Sequence, residues 1–263
     1  MLSIRKIFFV IFDIVLALYL VMAVTSFNKP DETGAKCVKV AIDISDSNNS
    51  GFLSAGEIKR ILERKRLYPL NKTMSSIVPR QIEEALKASP FVNTAECYKT
   101  NNGHVCISIT QRSPIIRIKS DNGADYYLDD QGGQLPNSHY TSDLIIATGH
   151  ISNLFAQRYI APLARTIMAS ELWNNQIVQI NVLPDLGIEL VPRVGNHIVF
   201  MGYLPQSRYR LEREKAIEEF TNKKLTRLEK FYRYGLSNAG WIKYSYINIE
   251  FVNQIICKKN TII

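Results

Sequence analysis

Eighteen consecutive residues, Ile7 to Val24 (IFFVIFDIVLALYLVMAV), contain a single charged side chain, Asp13. As a helix they would rise about 27 Å, close to the ~30 Å hydrocarbon core of a bilayer. Arg5 and Lys6 stand immediately before them, so residues 1–6 are expected as a cytoplasmic tail and 7–25 as a transmembrane signal anchor. The competing reading is a cleaved signal peptide ending near Val21-Met22-Ala23, but its apolar region would normally run only ~7–15 residues. Asp13 has two readings: a polar residue tolerated near the cytoplasmic end, or a membrane contact with another helix.

Everything downstream is then expected outside the cytoplasm. With 46% apolar residues the 263-residue chain can bury one large core or two modest ones. The net charge of +8 is scattered through KRILERKRL, RYRLEREKA and KKLTRLEKFYR, each time interleaved with Glu. That texture reads as solvated helix faces, not a stripe for nucleic acid.

Residues 26–36 form a polar linker with Pro30 and Gly34, and KCVKVAIDIS then alternates, with Val38, Val40, Ile42 and Ile44 on one face of a half-buried strand. Directly after it, DSNNSGFLSAGE matches a calcium-binding loop: Asp46, Asn48 and Ser50 at ligand positions, Gly51 at the turn, Ser54 and the closing Glu57. A strand enters where a helix should, no second loop exists, and only two carboxylates are supplied. Ser54-Ala55-Gly56-Glu57 is also a capping box, and that structural reading is preferred. The helix it starts carries Ile58, Ile61 and Leu62 on one stripe. A second helix follows, with Pro79 at its first position and Ile82, Ala85 and Leu86 buried. VNTAECYK and HVCISIT close this module as a hairpin through Thr100–Gly103.

From Pro114 the texture changes to short strands: PIIRIK, YYLDD, LIIATG, IVQINV, GIELVPR and HIVFMG. Two helices interrupt them, one over 153–172 and a charged one within 206–234. The chain then runs into WIKYSYINIEFVNQIICKK, where Ile247, Ile249 and Phe251 alternate with polar residues. The expected class is α+β: a membrane helix, a βααββ module over 37–111, and a mixed strand-rich β domain with two helices over 112–259.

No catalytic motif is present: no GxSxG, HExxH, P-loop or GxGxxG after a strand. His104, His139, His150 and His197 are dispersed and read as solvated or structural. Asp129-Asp130 reads as a hairpin turn whose carboxylates bond local backbone. Cys37, Cys97, Cys106 and Cys257 lack zinc spacing, so no metal, cofactor or small-molecule substrate is expected. Two hairpin registers stay open. A symmetric turn sets Cys97 against Cys106, where a disulfide could form. A bulge at Gly103 sets Cys97 in the core against Ile107 and leaves Cys106 on the outer face with Cys37, a second pairing. The face made by Ala95, Val105, Ile107 and Ile109 favours the bulge, and Cys257 is expected free.

The order of these parts resembles the bacterial cell-division protein family FtsQ, also called DivIB, closest to its Bacteroidetes type. SPFVNTAECY followed by HVCISITQRSPIIRI is similar to the closing hairpin and exit of a POTRA domain. DYYLDDQGGQLP, LIIATG, GIELVPRVGNHIVFMG, KLTRLEKFYRYG and INIEFVNQIIC resemble successive parts of the family's β domain. One departure lies near Glu250, where the proteobacterial pattern has an arginine. The resemblance implies a non-enzymatic scaffold in the inner membrane, its bulk periplasmic, at the division septum. It would bind FtsB- and FtsL-like proteins and link their recruitment to septal peptidoglycan synthesis. The rival is a POTRA-bearing factor for secretion or outer-membrane assembly. The terminal strands are then expected to carry the partner contacts, with Tyr246, Ile249, Phe251, Ile255, Ile256 and Cys257 as candidates; the alternative is that Ile255 and Ile256 only close the domain's own sheet. A last strand leaves backbone groups open to strand addition.

Overall fold

The computed structural model describes residues 4–26, 34–45, 53–137 and 144–260. The apolar N-terminal run is helical: α1 spans Ile4–Ser26, 23 residues. From Ile11 to Met22 every side chain is exposed, Asp13 among them. Among the described residues no helix is long and apolar enough to cross a membrane. The described side chains of α1 run unbroken only from Ile11 to Ala23, less than a full span. The rest of the chain forms two compact units, divided between Gln111 and Arg112.

The first unit carries β1 (Lys39–Ser45), α2 (Ala55–Arg64), α3 (Pro79–Lys87), β2 (Val92–Lys99) and β3 (His104–Gln111). Its sheet order is β1-β3-β2, with β1 parallel and β2 antiparallel to β3. Asp46, Asn48, Ser50 and Gly51 lie outside the described residues, as does His139. The end of the calcium-like stretch is a full capping box. Ser54 Oγ accepts from Glu57 N–H at 3.2 Å, and the Glu57 carboxylate accepts from Ser54 N–H at 2.8 Å. The side chain that would close a metal loop is thus engaged in starting α2, a cap of the kind worth ~1 kcal/mol. Ile58 and Leu62 of α2 and Ile82, Ala85 and Leu86 of α3 enter the core against Ala95, Val105, Ile107 and Ile109.

The hairpin adopts the bulged register, with Cys97 opposite Ile107 and Tyr98 opposite Cys106. Gly103 makes this turn at φ +72°, and a Cβ there would meet the Lys36 carbonyl at 3.2 Å. Two expectations are corrected just before β1. Val38 is exposed and Cys37 is fully buried, so Cys37 does not share the outer face with Cys106. Two long-range backbone bonds are the cause: Cys37 N–H donates to Lys72 O and Asn71 N–H to Cys37 O, which turns residue 37 inward before the ladder begins. All four cysteines are free thiols. Burial, then the Glu83 carboxylate, pushes the Cys97 thiol up to about 11, an unreactive state.

The second unit carries β4 (Pro114–Ser120), β5 (Asp125–Asp129), β6 (Gln134–Pro136), β7 (Ile145–Gly149), α4 (Asn153–Phe155), α5 (Ala161–Met168), α6 (Glu171–Gln176), β8 (Ile177–Val182), β9 (Gly187–Pro192), β10 (Ile198–Tyr203), α7 (Arg210–Phe231), α8 (Ser237–Ala239), β11 (Tyr244–Asn248) and β12 (Ile256–Lys259). One nine-stranded sheet holds it together, in the order β12-β11-β10-β9-β8-β7-β4-β5-β6. Ile116, Ile118, Ala147, Ile180, Val182, Leu190, Val199 and Ile247 pack with Leu163 and Ile167 of α5 and Ile217, Leu225 and Leu228 of α7 in one core. The two expected helices are both interrupted. A π-turn at Ala156–Ile160 joins α4 to α5, and another at Tyr232–Leu236 joins α7 to α8. The stretch expected as one helix over 153–172 stops at Met168, and α6 starts afresh after Ser170.

The charged helix also departs from the solvated reading. Arg213 and Lys224 are buried. Arg213 donates to the Ser207 and Arg158 carbonyls and lies over the Tyr159 ring, so its charge is met by oxygen and π density.

Candidate functional site

The candidate site is the end of the large sheet made by β10, β11 and β12. β11 runs parallel to β10, with Ile198 opposite Tyr246, and antiparallel to β12, with Ile247 opposite Cys257 and Asn248 opposite Ile256. β12 ends the sheet, and among the described residues no strand pairs with its outer edge.

The terminal segment is not one alternating strand. β11 stops at Asn248, whose side chain accepts from Glu250 N–H at 2.7 Å, and the chain turns before β12. This turn separates the six candidates. Ile249 is fully buried in the core, so its side chain is not offered to solvent. Phe251 leaves the alternation and stands exposed at the turn. Ile255 and Cys257 are half-buried against the core. Ile256, on β12, keeps 49% of its surface exposed. Tyr246 is committed to the fold: its hydroxyl donates to Glu189 at 2.9 Å, and Asn181 donates to the other oxygen of that carboxylate at 2.8 Å. Ile256 and Phe251 are therefore the candidate side chains offered to solvent.

The sequence reading missed what holds this turn. Lys224 of α7 donates to Ile249 O at 2.9 Å and also to Glu250 O. Arg227, one turn along, donates to the carbonyls of Ile249 and Val252. Two cations from one helix thus clamp the backbone that delivers β12. Burial, followed by the neighbouring Arg227 charge, holds the Lys224 ammonium below its usual range. The signal available in the sequence was the spacing of Lys224 and Arg227, which puts both on one helix face.

Just before β10, His197 is buried and its Nε2 lies 2.7 Å from the Tyr232 hydroxyl, while Nδ1 has no partner. Burial depresses its pKa. A depressed histidine stabilises the fold fully above its unfolded value of about 6.5 and loses that contribution as pH falls toward its folded value. Urea unfolding at pH 7.5 and 5.5 is expected to show lower stability at 5.5, with a smaller difference in His197→Gln. Equal pH dependence in both chains would remove His197 as the cause.

At the opposite end of the sheet, Asp129 is buried in its turn. Its carboxylate accepts from Gln131 N–H at 3.0 Å, from Gly133 N–H at 2.5 Å, and from Arg112 Nε and Nη2 at 2.8 and 2.6 Å. The expectation of local backbone bonding fits this turn, and Arg112 is the partner that expectation lacked. Gly133 has to be small, since a Cβ there would lie 2.0 Å from Arg112 Nη2.

Family models divide the chain as the two units do. A POTRA-like domain matches residues 35–110, and the model "FtsQ/DivIB, C-terminal related" matches residues 113–258. The chain belongs to the FtsQ/DivIB family. No curated protein matches it. FtsQ/DivIB proteins are non-catalytic cell-division proteins that act through protein–protein interaction in the divisome. The exposed β12 edge, with its clamped turn, is the feature of this chain that suits such a role.

Proposed function

We propose that this chain is a divisome scaffold anchored in the inner membrane by α1, with both folded units on the periplasmic side at the septum. There it binds FtsB- and FtsL-like proteins and couples their recruitment to septal peptidoglycan synthesis. The anchor reading is supported by the 23-residue helix, its exposed apolar side chains and the Arg5-Lys6 pair before the apolar run. An export-dependent reporter fused to the C-terminus should be active, and the mature chain should keep its N-terminal helix. A new N-terminus near Val24 would replace the anchor by a signal peptide.

One observation carries the binding reading: β12 lies at the sheet's end, its outer edge met by no strand among the described residues, with Ile256 exposed. Natural edges are blunted by charge, proline or brevity. Here Lys258 and Lys259 guard the far end only, while Ile256 opens the strand. Strand addition would let backbone bonds give affinity and alternate side chains give specificity. Ile256→Pro removes one backbone donor from β12. We expect it to lose FtsB-like partners in pull-downs from crosslinked membranes, with circular dichroism unchanged. Retained binding would overturn the assignment, and unfolding would make β12 a strand needed for the fold itself. The POTRA-like module alone would also suit a secretion or outer-membrane assembly factor, and that reading gains if the same pull-down returns barrel-assembly proteins.

A further inference from the structure

We propose that the cavity beside the end of α7 is a binding site for an indole ring, presented as a tryptophan side chain by a partner polypeptide. The cavity holds about 270 Å³. A dry cavity of roughly 150 Å³ is enough for benzene, so a bicyclic ring fits here.

Three aromatic side chains, Trp173, Tyr232 and Trp241, line it. Tyr232 meets Trp173 at 6.0 Å between ring centres and Trp241 at 5.3 Å, tilted by 54° and 74°. An added ring completes edge-to-face contacts of this kind. The Tyr232 hydroxyl is already bonded to His197, which leaves the ring, not the oxygen, for a ligand. Leu172 and Trp241 remain partly open to solvent at the same cavity. The π-turn at Tyr232–Leu236 supplies Tyr232 and Arg233 to one wall, and such turns recur at functional sites.

Polar groups choose among rings. Glu229 and Arg233 pair at 2.7 Å and cancel each other, which disfavours a cation. Gln176 also lines the cavity, and its amide oxygen is buried without a hydrogen-bond partner. That oxygen is closed to water, and turning the carboxamide about its broad terminal torsion brings it to a ligand donor. An indole supplies one apolar bicycle and one N–H. The Ser237 hydroxyl donates to Arg233 O and keeps its oxygen free to accept from a backbone N–H beside a presented side chain, and the Gln176 NH₂ can donate to a flanking carbonyl. The proposal does not depend on strand addition at β12.

The chain has two tryptophans, and both line the cavity. Full-length protein labelled with 5-fluorotryptophan therefore gives two ¹⁹F resonances, assigned with Trp241→Phe. In nanodiscs, indole should shift both saturably. 1-Methylindole, which lacks the donor but partitions better into lipid, should bind roughly five-fold more weakly. N-acetyltryptophanamide should bind at least as well as indole. Val194→Phe, which narrows the cavity, should abolish the shifts without moving the unfolding midpoint. Gln176→Leu should reduce indole to the level of 1-methylindole, and it serves if the Val194 variant fails to fold. Absence of a saturable shift, or equal affinity for the two indoles, overturns the site. Binding of indole but not of the amide overturns the side-chain assignment in favour of a free ring.

Discussion

Asp129→Ala is expected to lower the unfolding free energy by about 3 kcal/mol, the lower end of what breaking a buried ion pair costs. The carboxylate has 6% of its side-chain surface exposed and the Arg112 guanidinium 25%. Alanine would strip Arg112 of its carboxylate bonds and leave the Gln131 and Gly133 amides without acceptors at once. Water can reach part of Arg112, which keeps the loss from the top of the range. Asp129→Asn keeps the shape and one acceptor and should fall between the two. Urea midpoints for the three chains test this. A loss under about 0.5 kcal/mol in the alanine variant, the level of an ordinary surface change, would show that the turn holds without the pair.

The larger functional effect is expected from α7. In the double variant Lys224→Met, Arg227→Met, the carbonyls of Ile249, Glu250 and Val252 lose their side-chain donors. The Ile249 carbonyl is buried, and an acceptor left unmet there costs about 1–3 kcal/mol, whereas water can replace the donor at Val252 O. The cost falls on the turn that positions β12, a short strand held by one neighbour, and not on the main core. Hydrogen exchange should therefore speed up in 244–248 and 256–259 while β7 and β8 stay protected. Partner affinity should drop at least ten-fold, on the order of the loss of one such bond. Unchanged exchange at both strands would mean that the clamp does not hold the edge. Uniform acceleration across the sheet would mean that it serves the whole domain.

These two sites also show what the sequence could and could not reveal. Most strands of the large sheet were readable, because short apolar runs such as PIIRIK, IVQINV and HIVFMG are set apart by Gly, Asp, Asn and Pro. The bulged hairpin was readable from alternation: only that register lets Cys97 face inward beside Ala95 and Ile107. Cys37 was misplaced because two long-range backbone bonds to 71 and 72 turn it inward, and periodicity carries no trace of them. Lys224 and Arg213 were read as solvated because their neighbours are Glu and Lys. What buries them is the backbone of distant segments, whose carbonyls have no sequence signature. Ile249 was named by an alternation that crosses a turn at Glu250, where the Asn248 side chain and the Lys224 and Arg227 cations redirect the backbone.

The order in which the strands are made bears on when this molecule becomes competent. β12 follows every other described strand in the chain and takes the last place in the sheet, against β11. During synthesis the core of β4 to β10 can close first, with α7 and its two cations already in place. The β12 edge comes into being only when residues 256–259 have arrived and docked. A chain cut short before them would present β11 as its border, with another register and other side chains. The proposed binding edge is in this way completed by the last-made of the described strands, through connectivity alone.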